Sequence, residues 1–333
     1  MSQHRDKPHA DYVQFSAHIE PRGAASMPLM QLNVDGPFPA SRTKDALERA
    51  LAATPAQAPV VICIHGYKFS PHVPQHDPHD HILSLDPGSH CPKALSWPRG
   101  LGFGRGEADE GLCIALGWEA RGTIWQAYAQ ARLAGEALAR LIWTIKRPVQ
   151  VIGHSLGARV ALSALPHLSE GSVGRVILLA AAEFRSTALF AMDSAAGRSA
   201  EVINVTSREN DLFDLMAELA LAPDHGASRT LGSGLGQELR GWCDLQIDDA
   251  RTRACLAQLG YMIPEADKRV CHWSPYLRDG VFDLYRTALR HPEQLPIGLL
   301  KHLMPDAPAP RYSRLFRGRR TASLLSFSRK ASS

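Results

Sequence analysis

No C-x-x-C pair occurs among the six cysteines Cys63, Cys91, Cys113, Cys243, Cys255 and Cys271. Their scatter excludes the usual spacing of a structural zinc or dithiol redox motif and fits free thiols in a reducing cytoplasm. No apolar run approaches the about eighteen residues of a membrane helix; the best, Val176 to Ala182, is far shorter. Met1 to Pro8 contain no apolar core, so the expectation is a cytoplasmic chain without a secretory signal. The glycines at 100, 102, 104 and 106 follow no strand and match no phosphate-cradling loop, so no nucleotide cofactor is expected. Acid is absent from residues 311–333, which hold Arg311, Arg314, Arg317, Arg319, Arg320, Arg329 and Lys330. With the whole chain at only +4, the body is mildly acidic and a nucleic-acid partner is not expected. The basic tail reads as a solvated arm, or as a weak contact with anionic membrane through Leu315, Phe316, Leu324, Leu325 and Phe327.

What is present is an alternation of short apolar strands with amphipathic helices. Val60 to Ile64 is a continuous β-branched run, as a strand buried on both faces requires. Further strands are expected at 112–117, 149–152, 176–181, 202–206 and 242–247, with edge strands within 12–19 and 28–34. Between residues 121 and 146, Ile124, Tyr128, Ala131, Leu138, Leu141, Ile142 and Ile145 recur at helical spacing until Pro148. Residues 45–53 and 276–290 read as helices on the same argument. This order favours a mostly parallel sheet with helices on both faces. Trp118, Trp125, Trp143 and Trp242 read as core or sheet-edge aromatics.

Residues 68–111 break the rhythm with many Pro, His and Gly and are expected to form a lid or cap over the strand C-termini. The division is then a main domain over 1–310 and a tail over 311–333. His72, His76, His79, His81 and His90, with Asp77 and Asp80, suggest a metal loop. His72 and His76 have a zinc-like spacing only on a helix, which Pro71, Pro74 and Pro78 oppose, so no metal is expected.

The most informative stretch is Gly153-His154-Ser155-Leu156-Gly157, between the run Val149 to Ile152 and the small-residue helix Ala158 to Leu165. A serine at such a strand-to-helix bend takes a strained conformation that lifts its hydroxyl clear of the sheet. A serine hydroxyl needs a base, a group orienting that base, and donors for a developing oxyanion. Of the downstream histidines His167, His225, His272, His291 and His302, the third follows the last expected strand and precedes the final helix, so His272 is the expected base. The acid should follow a strand between the two. Asp211, past Val202 to Thr206, is the choice, with Glu209, Asp214 and Glu183 as rivals and an N-cap as its alternative role. The amides of Leu156 and Tyr67 are the expected oxyanion donors, and His65, Gly66, Lys68 and His154 are expected to line the substrate.

His65-Gly66-Tyr67, the Gly153–Gly157 pentapeptide, Asp211 and His272, in that order, resemble the α/β-hydrolase superfamily. The likeness spans residues 45–295 and is to bacterial lipase/esterase-like members without an assigned substrate. It implies an α/β-hydrolase fold with a central sheet of about eight strands, mostly parallel, and a cap insertion. The activity it implies is a cofactor-free serine hydrolase cleaving a small-molecule carboxylic ester or thioester through an acyl-enzyme. An acyltransferase using the same residues, or a catalytically inert binding module on the same fold, is the alternative.

Overall fold

A computed structural model describes residues 15–18, 28–34, 40–88, 93–305 and 308–315, with the side chains of 15–18, 40–43 and 222–224 left aside. The strands are β1 (Phe15–His18), β2 (Leu29–Val34), β3 (Val60–Ile64), β4 (Leu112–Trp118), β5 (Val149–His154), β6 (Val173–Leu179), β7 (Glu201–Thr206) and β8 (Trp242–Gln246). The helices are α1 (Ala40–Ala52), α2 (Trp97–Gly100), α3 (Ile124–Ile145), α4 (Leu156–Ala164), α5 (Arg185–Met192), α6 (Ala195–Ser199), α7 (Asp211–His225), α8 (Ala250–Gln258), α9 (Ser274–Leu277), α10 (Val281–Arg290) and α11 (Ile297–Leu303). No helix among the described residues is long and apolar enough to cross a membrane.

Sheet order is β1-β2-β4-β3-β5-β6-β7-β8. The seven strands from β2 to β8 run parallel, and β1 pairs antiparallel with β2 at one edge. Both faces are covered, which is why the central strands β3 and β4 are apolar throughout rather than alternating with polar residues. The two-residue period sends neighbours to opposite layers. Val60, Ile62 and Ile64 pack with α1, α3 and α4 on one side. Val61 and Cys63 pack with α2 and α10 on the other.

Helix α3 follows its expected stripe: Tyr128, Ala131, Leu138, Leu141, Ile142 and Ile145 are buried. Thr123 and Gln126 form a capping box at its start, and Lys146 in the left-handed region ends it before Pro148. The expected helix over 276–290 is broken into α9 and α10, because Gly280 takes φ +76 between them. Trp118 and Trp242 are core residues, but Trp125 and Trp143 are 57% and 63% exposed. Their indole N–H groups donate to the carbonyls of Ala220 and His167, so the aromatic signal marked surface braces there.

Two expected boundaries need correction. Within 68–111, Ile82, Leu83, Trp97, Leu101 and Phe103 are fully buried in the same layer as α10, so the insertion is anchored in the core through these side chains. The tail does not begin at residue 311. Arg311 binds both carboxylate oxygens of Glu218 at 2.9 Å, the Tyr312 amide donates to Asp211 Oδ2 at 2.5 Å, and Arg314 donates to the carbonyls of Ala266 and Lys268. Residues 308–315 are thus a strap across α7; the rest of the basic segment, and its proposed membrane contact, lie outside the described residues.

Candidate functional site

β3 and β5 are neighbours in the middle of the sheet, and their C-terminal ends deliver two turns to one place, where open α/β sheets bind ligands. From β5 comes Ser155, with φ 54 and ψ −118 at the junction with α4. This conformation is costly for a residue with a Cβ, by about 1–3 kcal/mol, and persists only where surroundings over-determine it. They do so here. The Ser155 amide donates to Leu179 at 2.9 Å, and its carbonyl accepts from the Ala158 and Ala182 amides, both at 3.1 Å. A Cβ on Gly153 would lie 2.6 Å from the Gly157 carbonyl oxygen, and one on Gly157 would lie 2.5 Å from that of Ile64. The bend therefore requires glycine at both flanking positions.

From β3 comes the His65-Gly66-Tyr67 turn. A Cβ on Gly66 would sit 2.8 Å from both the His154 carbonyl oxygen and Ser155 Cβ, so the two turns touch. The Lys68 amide donates to Ala120 at 2.9 Å, with Lys68 at φ 74. Among the described residues, the amides of Tyr67 and Leu156 donate to no acceptor. The Tyr67 hydroxyl donates to the Gly122 carbonyl at 2.8 Å, and the Lys68 ammonium is exposed beside its ring.

His65 and His154 were expected to face substrate, and the structure places them otherwise. His65 stacks on Trp118, its Nδ1 pairs with the Gly66 carbonyl at 3.0 Å, and its Nε2 accepts from the Trp118 amide at 3.0 Å. Nε2 must then be the unprotonated nitrogen. His154 donates from Nε2 to the His272 carbonyl at 3.0 Å. Both rings are buried and committed to backbone, so they shape the turns and are turned away from a ligand. Burial, partly opposed by the backbone hydrogen bond, pulls His65 down to about 3 and His154 down to about 4.

These depressed values predict acid sensitivity. The unfolded rings titrate near 6.5, above their folded values of about 3 and about 4, so the unfolded chain binds more protons as pH falls. The neutral rings' contribution is complete above pH 6.5 and is lost as pH drops toward 4. Urea midpoints should fall steeply between pH 7 and 5; equal midpoints would contradict buried neutral rings.

His272 arrives beside the elbow from the segment before α9. The Cys271 amide donates to the Glu209 carbonyl at 2.9 Å, and the Glu209 carboxylate pairs with Arg278. The His272 ring lies 4.6 Å from that of His154 and stacks on Phe213 at 4.8 Å. Burial, with the His154 ring a smaller cause, holds it well below the usual histidine value, so the imidazole is neutral at neutral pH. No hydrogen bond joins its ring to the Ser155 hydroxyl among the described residues, and Ser155 is 4% exposed. A cavity of about 480 Å³ opens along β8, lined by Trp242, Asp244 and Lys301, and neither Ser155 nor His272 borders it.

Asp211 does not meet the imidazole. It is the first residue of α7, where one oxygen accepts from Arg208 Nη1 at 3.0 Å and the other from the Tyr312 amide. Asn210, one residue earlier, takes the place expected of Asp211: its Oδ1 lies 2.6 Å from His272 Nδ1. The short 3-10 turn Arg208–Asn210 sets which of the two faces the ring. A search for an acid passes over this residue, and the signal that could have found it is the Asn-x-x-x-Asp spacing of Asn210 and Asp214. The rival Glu183 is held by Arg159, Tyr128 and the Phe184 amide, and Glu209 by Arg278 and Ser207. Neither carboxylate pairs with the imidazole.

Among the described residues no three His, Cys, Asp or Glu side chains gather as metal ligands. His79 Nε2 pairs with Asn33 Oδ1 at 2.6 Å, His81 packs edge-on against Phe69, and His90 lies outside the described residues. The sequence matches no protein-family model and no curated protein. The fold is an α/β architecture, a parallel open sheet with helices on both faces.

Proposed function

We propose that the chain is a serine hydrolase of the α/β-hydrolase class. Within that class the reaction it fits best is cleavage of a small carboxylic ester or thioester through an acyl-enzyme. One observation carries the reading: Ser155 is held at φ 54 between a strand and a helix, with glycines forced at 153 and 157. Such strain is concentrated where a side chain must be presented for chemistry.

In this mechanism Ser155 Oγ attacks the acyl carbonyl while His272 Nε2 accepts its proton and returns it to the departing alcohol or thiol. Asn210 accepts from Nδ1–H and so keeps the proton off Nε2, the task usually given to an acid. The free amides of Tyr67 and Leu156 supply the oxyanion donors, and water then releases the acid. Ser155 is nearly enclosed, so admitting the acyl group requires an opening that also brings Nε2 to the hydroxyl. Catalytic hydrogen bonds often tighten only with substrate bound. Leu212, Met216 and Leu219 form an exposed apolar stripe on α7, beginning beside Phe213, which suits an acyl chain. The thiols of Cys63, Cys113, Cys243, Cys255 and Cys271 are free, which supports a cytoplasmic setting.

A fluorophosphonate probe tests the reading, because it reacts only with an activated serine. Labelling should map to Ser155 and be competed by p-nitrophenyl esters or acyl-CoA compounds that the protein turns over. An unlabelled wild-type protein would mean an inert binding module. Labelling with acyl transfer to an added alcohol, and no net hydrolysis, would mean an acyltransferase.

A further inference from the structure

Behind Asn210 stands a second carboxylate. Asp214, one turn along α7, is buried, and its Oδ1 accepts from Asn210 Nδ2 at 3.0 Å. The three groups form one file: His272 Nδ1, the Asn210 carboxamide, and the Asp214 carboxylate. An ionised carboxylate has only acceptors, so it dictates that the carboxamide turn its NH₂ inward and its oxygen outward. That oxygen can only accept, so His272 must carry its proton on Nδ1.

We propose that Asp214 is a positioning residue: through Asn210 it fixes the His272 tautomer that leaves Nε2 free to take the Ser155 proton. The proposal rests on reading Ser155 and His272 as nucleophile and base. Protonating Asp214 undoes the arrangement. A carboxylic acid O–H donates to the carboxamide oxygen as readily as its carbonyl accepts from the NH₂, so the carboxamide is free to turn over. Its NH₂ then faces Nδ1, the ring proton moves to Nε2, and the base is blocked. The charges around Asp214 decide when this happens. Arg311 from the strap favours the carboxylate; Asp211 and Glu218 on α7 oppose it; Arg208 closes the same corner by donating to the Gly232 carbonyl. A Cβ on Gly232 would overlap the Asp214 carboxylate, so this loop seals it from solvent. Oδ2 of Asp214 and Nε and Nη2 of Arg311 are buried without partners among the described residues. Burial dominates and raises Asp214 to about 7, within the range where an enzyme would sense it.

The test compares wild type with Asp214→Asn, Arg311→Gln and the charge-transposed Asn210→Asp/Asp214→Asn, each checked for native near-ultraviolet dichroism. Ester turnover and the ¹⁵N signature of the His272 tautomer are followed from pH 5.5 to 9. Asp214→Asn should lose about 10–100-fold in kcat at pH 8 with KM little changed, and lose the limb near pH 7. Arg311→Gln should move that limb to higher pH, since the cation favouring ionisation is gone. The transposed pair, with a carboxylate directly on the imidazole, should recover kcat to within several-fold of wild type. An Asp214→Asn enzyme with wild-type kcat and pH profile overturns the proposal, as does a transposed pair as slow as Asp214→Asn. Should Asp214→Asn not fold, Arg311→Gln and the transposed pair decide alone. If the wild type neither labels nor turns over, the hydrolase reading fails by itself. The tautomer spectra still decide the role of Asp214: Nδ1–H in wild type, mixed in Asp214→Asn.

Discussion

Replacing Ser155 by alanine should remove turnover by several orders of magnitude, with about 10⁶ as the upper expectation, and leave the fold untouched. The two halves of that expectation have separate grounds. Activity goes because no other hydroxyl sits at the bend. Stability stays because the serine side chain makes no cap hydrogen bond to α4, and alanine keeps the Cβ and therefore the same backbone strain. Ser155→Gly should be as inactive yet more stable by about 1 kcal/mol, since glycine adopts φ 54 at little cost. Esterase assays and urea unfolding of the two variants check both halves. Wild-type turnover in the alanine variant would remove the nucleophile from the mechanism. Loss of stability in it would mean that the serine is structural.

Glu183→Ala should be strongly destabilising, by about 3–5 kcal/mol. The Glu183 side chain is fully buried and its partner Arg159 is only 10% exposed. One carboxylate satisfies the Arg159 guanidinium, the Tyr128 hydroxyl and the Phe184 amide. Its removal strands the buried Arg159 cation and the Phe184 amide, and leaves the Tyr128 hydroxyl to His225. Against the about 5–15 kcal/mol that holds a typical domain together, this is a large fraction. Arg159→Met/Glu183→Leu should cost much less, because removing both charges of a buried pair avoids the uncompensated one. Denaturant midpoints of the single and double variants measure the difference; equal losses would contradict the argument. The result also bears on the site. Glu183 was a rival for the orienting acid, yet any activity lost in Glu183→Ala should follow the lost fold, since its carboxylate is spent on Arg159.

Much of the scaffold was readable locally. The run Val60–Ile64 is fully apolar because β3 is covered on both faces, and the stripe in α3 tracks its buried side. The elbow was legible for the same reason: glycine, serine and glycine at fixed spacing between a strand and a helix describe a bend whose sterics involve adjacent chain. Even so, its glycines are explained only by what they meet. For Gly157 that is the Ile64 carbonyl, almost a hundred residues earlier.

Partner choice was not readable. Asn210 and Asp211 are neighbours, both able to cap a helix or hold an imidazole, and one rotation through a short 3-10 turn decided between them. His65 and His154 look like site residues from their positions beside two turns, but burial and backbone partners assigned them to the framework. Residues 311 to 315 of the strap read as the start of a solvated arm because their arginines suggest solvent until Glu218 and the Ala266 and Lys268 carbonyls are seen against them.

By itself, then, the amino-acid order determined a parallel α/β layer structure and the bend that displays Ser155, since both follow from periodicity and short-range sterics. Only the tertiary structure decided that Asn210 holds His272 and that Asp214 stands behind it. Those choices depend on which polar atoms meet across sixty residues of intervening chain, and hydrogen-bond satisfaction in a buried site is a property of the assembled whole.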